Sequence, residues 1–206
     1  MNELVRKVRK LERSAIGDRI GRRLSEFHEM HHKGNNEWFE ELCFCILTSN
    51  SKARTAIAIQ NELGYSGFSC LPEEGLVSCI KRNKHRFHNT KARYIAWARN
   101  FLDIRDKVRR EKDPRAWLVK NVKGLGWKES SHFLRNVGYT DYAIIDRHVL
   151  SLLHEHGYIK RRPASVTPKN YLLFEKKLAR VCDELKMTQA ELDLYLWYMK
   201  AGDVLK

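Results

Sequence analysis

Two residues of this chain, Lys128 and Asp146, are placed where their side chains could do covalent chemistry. Lys128 begins a segment with helical periodicity, where the helix dipole and partial burial both favour the neutral amine that a nucleophilic lysine requires. Asp146 follows the apolar run Ala143-Ile144-Ile145 and precedes another helical segment, so we predict that it caps that helix. A capping carboxylate has a fixed orientation and can stabilise a positive charge that develops beside it. A solvated surface lysine and a purely structural cap are the simpler alternatives.

Next to the lysine lies the run Asn121-Val122-Lys123-Gly124-Leu125-Gly126-Trp127. Amphipathic segments flank this run on both sides, which predicts a helix-hairpin-helix element at about residues 115–138. Two glycines two positions apart allow a sharp turn and a close approach to a ligand. The helix that follows offers N–H groups to an anion, and phosphate is the natural anion for a basic chain. We therefore predict that Lys123, Gly124 and Gly126 bind a phosphate; a tight helix–helix turn without a ligand is the alternative.

A second pattern, His28-Glu29-Met30-His31-His32, matches the H-E-x-x-H motif of zinc proteases. It would place His28 and His32 on one face of a helix, with Glu29 as the base. However, Lys33-Gly34 is predicted to end that helix directly afterwards, and no third ligand is evident in the sequence. We therefore expect no metal at this segment.

The composition favours a polyanion as partner. The chain has 39 Lys and Arg against 25 Asp and Glu, a formal charge of +14, which points to nucleic acid before an anionic membrane. No run approaches the ~20 apolar residues of a membrane helix, and the N-terminus lacks the apolar run of a signal peptide. We expect an intracellular protein, cytoplasmic or associated with the nucleoid, whose five cysteines are reduced.

Long stretches of helical periodicity and the scarcity of strand signals predict an all-α fold. Three of the helices are predicted to end at a left-handed glycine, at Gly64, Gly138 and Gly157. We place the break between two lobes in the exposed loop at 160–168. The predicted helices lie near residues 3–13, 17–32, 36–48, 52–63, 73–82, 89–101, 103–111, 114–121, 127–137, 147–156, 169–186 and 189–201.

Taken together, these motifs resemble the helix-hairpin-helix superfamily of DNA glycosylases, and more narrowly its compact archaeal-type 8-oxoguanine DNA glycosylase/AP lyase class. The resemblance runs from about residue 36 to residue 206. It implies a single compact unit of residues 1–206, made of two helical lobes with the active site in the cleft between them. The resemblance is carried by segments 123–128, 136–139 and 143–148, and it is supported by 43–50, 85–87 and 192–198 and by the terminal lysine.

The resemblance implies that Lys128 attacks C1′ of the damaged nucleotide and displaces the base, after which the Schiff base undergoes β-elimination and the strand is nicked. Asp146 would be the aspartate of the motif. The hairpin at 122–127 would bind the backbone on the 3′ side of the lesion, and a monovalent cation held by its carbonyls is an option that the sequence leaves open. The base must be flipped out of the duplex to be cut. Trp197 and Phe44 are candidates for an aromatic wall beside it, with core packing as the alternative.

Further candidates for DNA and base contacts come from the loops and the C-terminus. Asn50 follows the first strongly apolar helix, in a loop that fills the vacated base stack in related glycosylases. Arg86 and Phe87 lie in a basic loop, which suits contact with phosphate and stacking on the estranged base; an exposed loop with a buried Phe anchor is the alternative. The resemblance implies that Lys206, with its terminal carboxylate, helps to distinguish 8-oxoguanine from guanine.

The cysteines separate this chain from two branches of the superfamily. Endonuclease III-like and adenine-excising relatives carry four cysteines near the C-terminus for an iron–sulfur cluster, whereas this chain has only Cys182 there. We expect no cluster and no other cofactor. The expected partner is double-stranded DNA containing an oxidised base, bound by a monomer without membrane attachment. The alternatives are a non-catalytic DNA-binding module, which has no need of Lys128 and Asp146, and a glycosylase for another oxidised base.

Overall fold

A computed structural model of the chain describes residues 2–206, and those residues form helices and connecting loops without a strand. The predicted all-α architecture is therefore confirmed. Within this range the helices are α1 (Glu3–Glu12), α2 (Ala15–His32), α3 (Asn35–Thr48), α4 (Ala53–Cys70), α5 (Glu73–Arg82), α6 (His88–Ala98), α7 (Ile104–Arg110), α8 (Pro114–Asn121), α9 (Trp127–Asn136), α10 (Arg147–Glu155), α11 (Pro168–Leu185) and α12 (Gln189–Ala201), with one 3₁₀ turn at Arg99–Phe101.

The chain divides into two compact units. The central unit is Met30–Val137, and the terminal unit joins the residues up to Glu29 with Gly138–Lys206. The sequence-based boundary at 160–168 is therefore wrong, although that segment is indeed a loop. The helices on both sides of it, α10 and α11, pack against α12, so the chain remains in one unit across the loop.

The core of the central unit is built around α3. Its second half is apolar on every side, and the six residues from Leu42 to Leu47 have no exposed surface. A helix of this kind must be covered all round, and α3 packs against α4, α6, α7 and α9. Because α3 is enclosed, its last turn has a fixed position from which the following loop emerges.

In the terminal unit, α1 packs against α11 and α12 through Leu4, Val5 and Val8, which are fully buried. The first of these helices is tied down at its start, because the side chain of Asn2 accepts from the backbone N–H of Leu4 at 2.9 Å and donates to the carbonyl of His156 at 3.3 Å. The N-terminal segment is thus a structural part of the unit that holds Asp146.

Three predicted glycine positions have positive φ: 54° at Gly64, 91° at Gly138 and 77° at Gly157. This confirms the conformation expected of glycine beyond a helix end. At Gly64 the sequence-based prediction is incomplete, because helical structure resumes after the kink and continues to Cys70. Phe68 in this continuation is fully buried, and its burial holds the extra turns in place.

Candidate active site

The hairpin of the central unit joins α8 to α9, as the sequence predicts. The first helix begins with Asp113 as its cap, whose Oδ1 accepts from the N–H of Ala116 at 3.0 Å, and with Pro114 at the first helical position. At the start of the second helix, Glu129 Oε2 accepts from the N–H of Gly126 at 3.3 Å, which is one half of a capping box because glycine has no side chain to complete it. Between them, Leu125 is buried and holds the turn against the unit.

The two hairpin glycines have different roles. Gly124 has φ +91°, the left-handed region in which only glycine is unstrained. Gly126 has φ −93° and ψ −169°, which is extended backbone open to any residue. The backbone conformation therefore requires glycine only at Gly124. Gly126 is the N-cap of α9.

Lys123 is exposed beside the hairpin, and its Nζ lies 5.0 Å from the centroid of the Trp97 ring. Trp97 in turn packs edge-on against Phe101, with ring centroids 5.1 Å apart. At an exposed site, a cation over an aromatic face is attracted to the ring by about 0.5–1 kcal/mol, and this attraction limits the freedom of its side chain. The arrangement presents a fixed positive charge next to the N-terminus of α9, which suits an anion.

Lys128 is the second residue of α9, and 29% of its side chain is exposed. Its Nζ lies 3.8 Å from Oε1 of Glu129, whose other carboxylate oxygen accepts from the N–H of Gly126. The amine is thus half-buried at the positive end of a helix, held near a carboxylate and still accessible. Accessibility at the start of this helix is what a nucleophilic lysine needs.

A second lysine of this unit, Lys91, is buried, and the sequence-based prediction missed it. Its Nζ donates to the carbonyl of Ile46 at 2.6 Å. Burial lowers the pKa of Lys91 to about 8; the carboxylate of Glu129 acts in the opposite direction, and the charge of Lys128 lowers the pKa further. One sequence signal could have indicated its burial: Lys91 lies four residues before Ile95 and so shares the buried face of α6.

Phe44 was a candidate for the wall beside a flipped base. It has no exposed surface and packs edge-on against His132, with ring centroids 5.7 Å apart. This fits the core-packing alternative better than direct contact with a base. The ring that Phe44 supports, His132, is 8% exposed and lies on α9, the helix that also carries Lys128.

The predicted DNA-contacting side chains of the central unit lie in two loops. Asn50 is exposed with φ +59°, just after α3. The ring of Phe87 is 39% exposed, and the guanidinium of Arg86 lies 4.7 Å from its centroid. The alternative of a buried Phe anchor is therefore wrong. The buried anchor of this loop is His85, at 2% exposure.

In the terminal unit, Asp146 is the N-cap of α10, as predicted. Its Oδ1 accepts from the N–H groups of His148 and Val149, both at 2.8 Å. The apolar run before it is held by Tyr171, whose hydroxyl donates to the carbonyl of Ala143 at 2.7 Å and accepts from the N–H of Ile145 at 3.1 Å. The carboxylate is thus held by the helix that follows it, and the chain that precedes it is held by Tyr171.

Two further candidates lie in the same unit. The partly exposed ring of Trp197 stands edge-on to His148, with centroids 5.7 Å apart and planes at 88°. Because His148 is in the first turn of α10, this contact ties Trp197 to the helix that Asp146 caps. The indole N–H is buried and has no hydrogen-bond partner among residues 2–206. Lys206 is partly exposed.

The candidates thus form two groups. The central unit holds Lys123, Gly124, Gly126 and Lys128 together with Phe44, Asn50, Arg86 and Phe87, and the terminal unit holds Asp146, Trp197 and Lys206. That the two groups act on one nucleotide stays a prediction.

The structure offers no support for a zinc site at His28-Glu29-Met30-His31-His32. Across residues 2–206, no group of three or more His, Cys, Asp or Glu side chains is arranged to hold a metal ion. The helix ends at His32, as the sequence predicts, and the ring Nδ1 of His31 lies 2.9 Å from the carbonyl of Val137.

The cysteines do not form a cluster site. Cys182 is the one cysteine in the C-terminal half of the chain, so four ligands for an iron–sulfur cluster cannot be assembled there. Burial raises the pKa of its thiol to about 12, which keeps it protonated. None of the described helices combines the length and apolar character that crossing a membrane requires.

Comparison with known proteins identifies the family. The family model described as 8-oxoguanine DNA glycosylase matches residues 20–187. The chain is 48% identical to the 8-oxoguanine DNA glycosylase/AP lyase of Methanocaldococcus jannaschii, over 98% of this chain and 99% of that protein. The crystal structure of the Methanocaldococcus jannaschii glycosylase/lyase in complex with a 15mer DNA containing 8-oxoguanine has a TM-score of 0.96 at 46% identity, covering 98% of this chain and 99% of that one.

A second solved structure, the 8-oxoguanine DNA glycosylase of Thermotoga maritima, has a TM-score of 0.93 at 37% identity and covers 99% of each chain. These matches extend over nearly the whole length of the chain. They confirm the helix-hairpin-helix glycosylase fold that the motifs indicate. The chain belongs to the 8-oxoguanine DNA glycosylase family.

Proposed function

We propose that this protein is a bifunctional DNA glycosylase/AP lyase of base excision repair, which removes 8-oxoguanine from double-stranded DNA and nicks the strand. The full-length similarity to proteins named 8-oxoguanine DNA glycosylase/AP lyase supports the activity. The single structural observation that carries it is the half-buried amine of Lys128 at the start of α9, directly after the hairpin. A module that only binds DNA does not need this amine together with the carboxylate of Asp146.

In the proposed reaction, the neutral amine of Lys128 attacks C1′ of the damaged nucleotide. The bond from C1′ to the base nitrogen breaks, and the base leaves with that electron pair and takes up a proton. The amine on C1′ loses its proton as the sugar ring opens, which gives a Schiff base. Loss of a proton from C2′ then expels the 3′ phosphate by β-elimination. The fixed carboxylate of Asp146 stabilises the positive charge that develops on the sugar.

The DNA contacts follow from the remaining candidates. Lys123 and the N–H groups near Gly124 and Gly126 bind a backbone phosphate. Asn50 enters the duplex at the vacated position. At the estranged base, the contacts come from Arg86 and Phe87. We assign the flipped base to Trp197 and Lys206, and Phe44 supports His132 from within the core instead of contacting the base.

Three finer points complete the proposal. The protein acts as a monomer, in the cytoplasm or at the nucleoid. The alternative is a glycosylase whose substrate is another oxidised base. A monovalent cation at the hairpin would be held by backbone carbonyls, whose oxygens suit such an ion; one of them, Val122 O, already accepts from the N–H of Leu125 at 3.3 Å. The reaction steps do not depend on that cation.

The test uses duplexes that differ at one position: 8-oxoguanine, guanine, or an oxidised pyrimidine. We expect free 8-oxoguanine together with a nick that carries the unsaturated aldehyde of β-elimination, and no cutting of the guanine duplex. Release of the oxidised pyrimidine instead would favour the other-base alternative. Tight binding of all three duplexes without any base release would favour the non-catalytic module and overturn the proposal.

A further inference from the structure

Two buried side chains bind neighbouring carbonyls at the C-terminal end of α3. Lys91 Nζ donates to the carbonyl of Ile46 at 2.6 Å, and His85 Nε2 lies 2.9 Å from the carbonyl of Leu47. The two side chains are only 4% and 2% exposed. The last carbonyls of a helix have no partner within the helix, and here they are bound by side chains from a distant part of the chain.

The imidazole of His85 bridges two loops. The backbone N–H of Phe87 donates to its Nδ1 at 3.1 Å, so Nδ1 carries no proton. Nε2 must then carry the proton and donate to Leu47. Burial lowers the pKa of His85, which favours this neutral form, while its bond to Leu47 acts in the opposite direction and the charges of Lys91, His88 and Arg86 lower the pKa further. One ring thus links the end of α3 to the backbone of Phe87.

Each side of this link leads to a constrained, exposed loop. Asn50 lies three residues beyond Leu47, and Lys84 lies directly before His85; both have φ +59°. Non-glycine residues rarely adopt this conformation, and it persists where the surroundings impose it. Within residues 2–206, only Lys186 at the end of α11 shares this property. The two loops are those that present Asn50 and the exposed ring of Phe87.

We propose that His85, assisted by Lys91, is a positioning residue that holds the loops of Asn50 and Phe87 in a fixed relation, so that both side chains enter the duplex together when a base is extruded. This role rests on the proposed function. Holding the loops beforehand removes the entropy cost of ordering them on DNA. His85 is too deeply buried to contact DNA in this arrangement and acts through the loops that it joins.

Two substitutions separate the two bonds of the ring. Glutamine can place an amide N–H near the position of Nε2 and retain the bond to Leu47, whereas asparagine can place an acceptor near Nδ1 and retain the bond to Phe87. If His85 works as a bridge, His85→Gln and His85→Asn should both lose function. Lys91→Met removes the neighbouring bond to Ile46 and offers a variant that leaves the imidazole intact.

The experiment compares two reactions under single-turnover conditions. Excision from an 8-oxoguanine duplex requires base extrusion, whereas borohydride trapping on a duplex that already holds an abasic site does not. For both His85 variants, we expect excision to fall roughly 10- to 100-fold while trapping on the abasic site changes less than about threefold. Lys91→Met should give the same pattern with a smaller loss. Thermal melting shows whether each variant is folded.

A coupling measurement tests whether His85 acts through its loops. In a background that already carries Asn50→Ala and Phe87→Ala, adding His85→Gln should cause little further loss of excision. Full excision by either His85 variant would overturn the bridge. If excision and trapping fall in parallel in the variants, His85 has only a structural role. If the wild type fails to trap on an abasic site, the proposed function itself falls, and the positioning role falls with it.

Discussion

A Cβ atom added to Gly124 would lie 2.6 Å from Cδ2 of Tyr94, a distance that real contacts do not show. Gly124 also has φ +91°, so any side chain there meets both a clash and a strained backbone. The hairpin turn is therefore shaped by Tyr94 on α6 as much as by the glycine itself. The second glycine is different, because a Cβ on Gly126 would meet only the flexible carboxylate of Glu129, at 3.3 Å.

The first prediction follows from this pair. Gly124→Ala should weaken binding to a lesion-containing duplex by about tenfold or more, since the hairpin must shift to relieve both the strain and the clash. Gly126→Ala is the matched control and should lose much less. Fluorescence anisotropy with labelled duplex measures both. Equal losses in the two variants would contradict the distinction between the glycines.

The second prediction separates the two roles of Asp146. Asparagine retains an oxygen that can accept from the N–H groups of His148 and Val149, so Asp146→Asn should leave the free energy of unfolding nearly unchanged. The variant loses the negative charge, and single-turnover excision should fall about 10²- to 10³-fold. Asp146→Ala should lose activity and, in addition, about 1 kcal/mol of stability. Normal excision by Asp146→Asn would show that the residue is only a cap.

The third prediction concerns pH and Lys91. Its pKa is lowered from 10.5 to about 8 by burial, so between these values the unfolded chain binds the proton more tightly than the folded chain. The stability of the wild type should therefore rise with pH across this window, as the cost of burying the charge disappears. The gain corresponds to roughly 3 kcal/mol.

The measurement is urea unfolding of wild type and Lys91→Met at several pH values from 7 to about 10.5. Subtracting the two curves removes the titration of other groups. Wild type should gain stability relative to the variant as the pH rises. A difference that stays constant across the window would mean that the ammonium of Lys91 is not buried in solution.

The fourth prediction concerns the charge of Lys123. If its ammonium binds a backbone phosphate, Lys123→Met should reduce the slope of log affinity against log salt by about one, and it should weaken binding to lesion and undamaged duplexes alike. Lys107 on α7 provides the matched control, because its Nζ is paired with Oδ2 of Asp103 at 2.7 Å. Lys107→Met should leave the slope unchanged. An unchanged slope for Lys123→Met would show that Lys123 does not bind a backbone phosphate.

Local sequence patterns predicted much of this structure because their causes are local. Asp113-Pro114 starts α8, and Asp146 caps α10, as their types and neighbours indicate. The position of Lys128 at the start of α9 could be inferred in the same way. By contrast, the burial of Lys91 and His85 depends on carbonyls 45 and 38 residues away in the chain, which no local pattern reveals.

The unit boundaries show the same limit. The loop at 160–168 has the composition of a linker, which predicts a break between lobes there. What decides the boundary is packing, because α10 and α11 share α12 as a neighbour and α1 joins them from the other end of the chain. Gly126 is a related case. Its spacing from Gly124 is typical of a turn that depends on two glycines, but its backbone is extended and could be adopted by any residue.

The central claim is that Lys128 forms the covalent bond to DNA, and one experiment tests it most directly. Wild type, Lys128→Gln and Lys123→Gln are incubated with an 8-oxoguanine duplex in the presence of borohydride, and any cross-linked peptide is mapped by mass spectrometry. We predict a covalent band for wild type and Lys123→Gln, linked at Lys128, and none for Lys128→Gln. A band that persists in Lys128→Gln, or free base released without any band in the wild type, would contradict the claim.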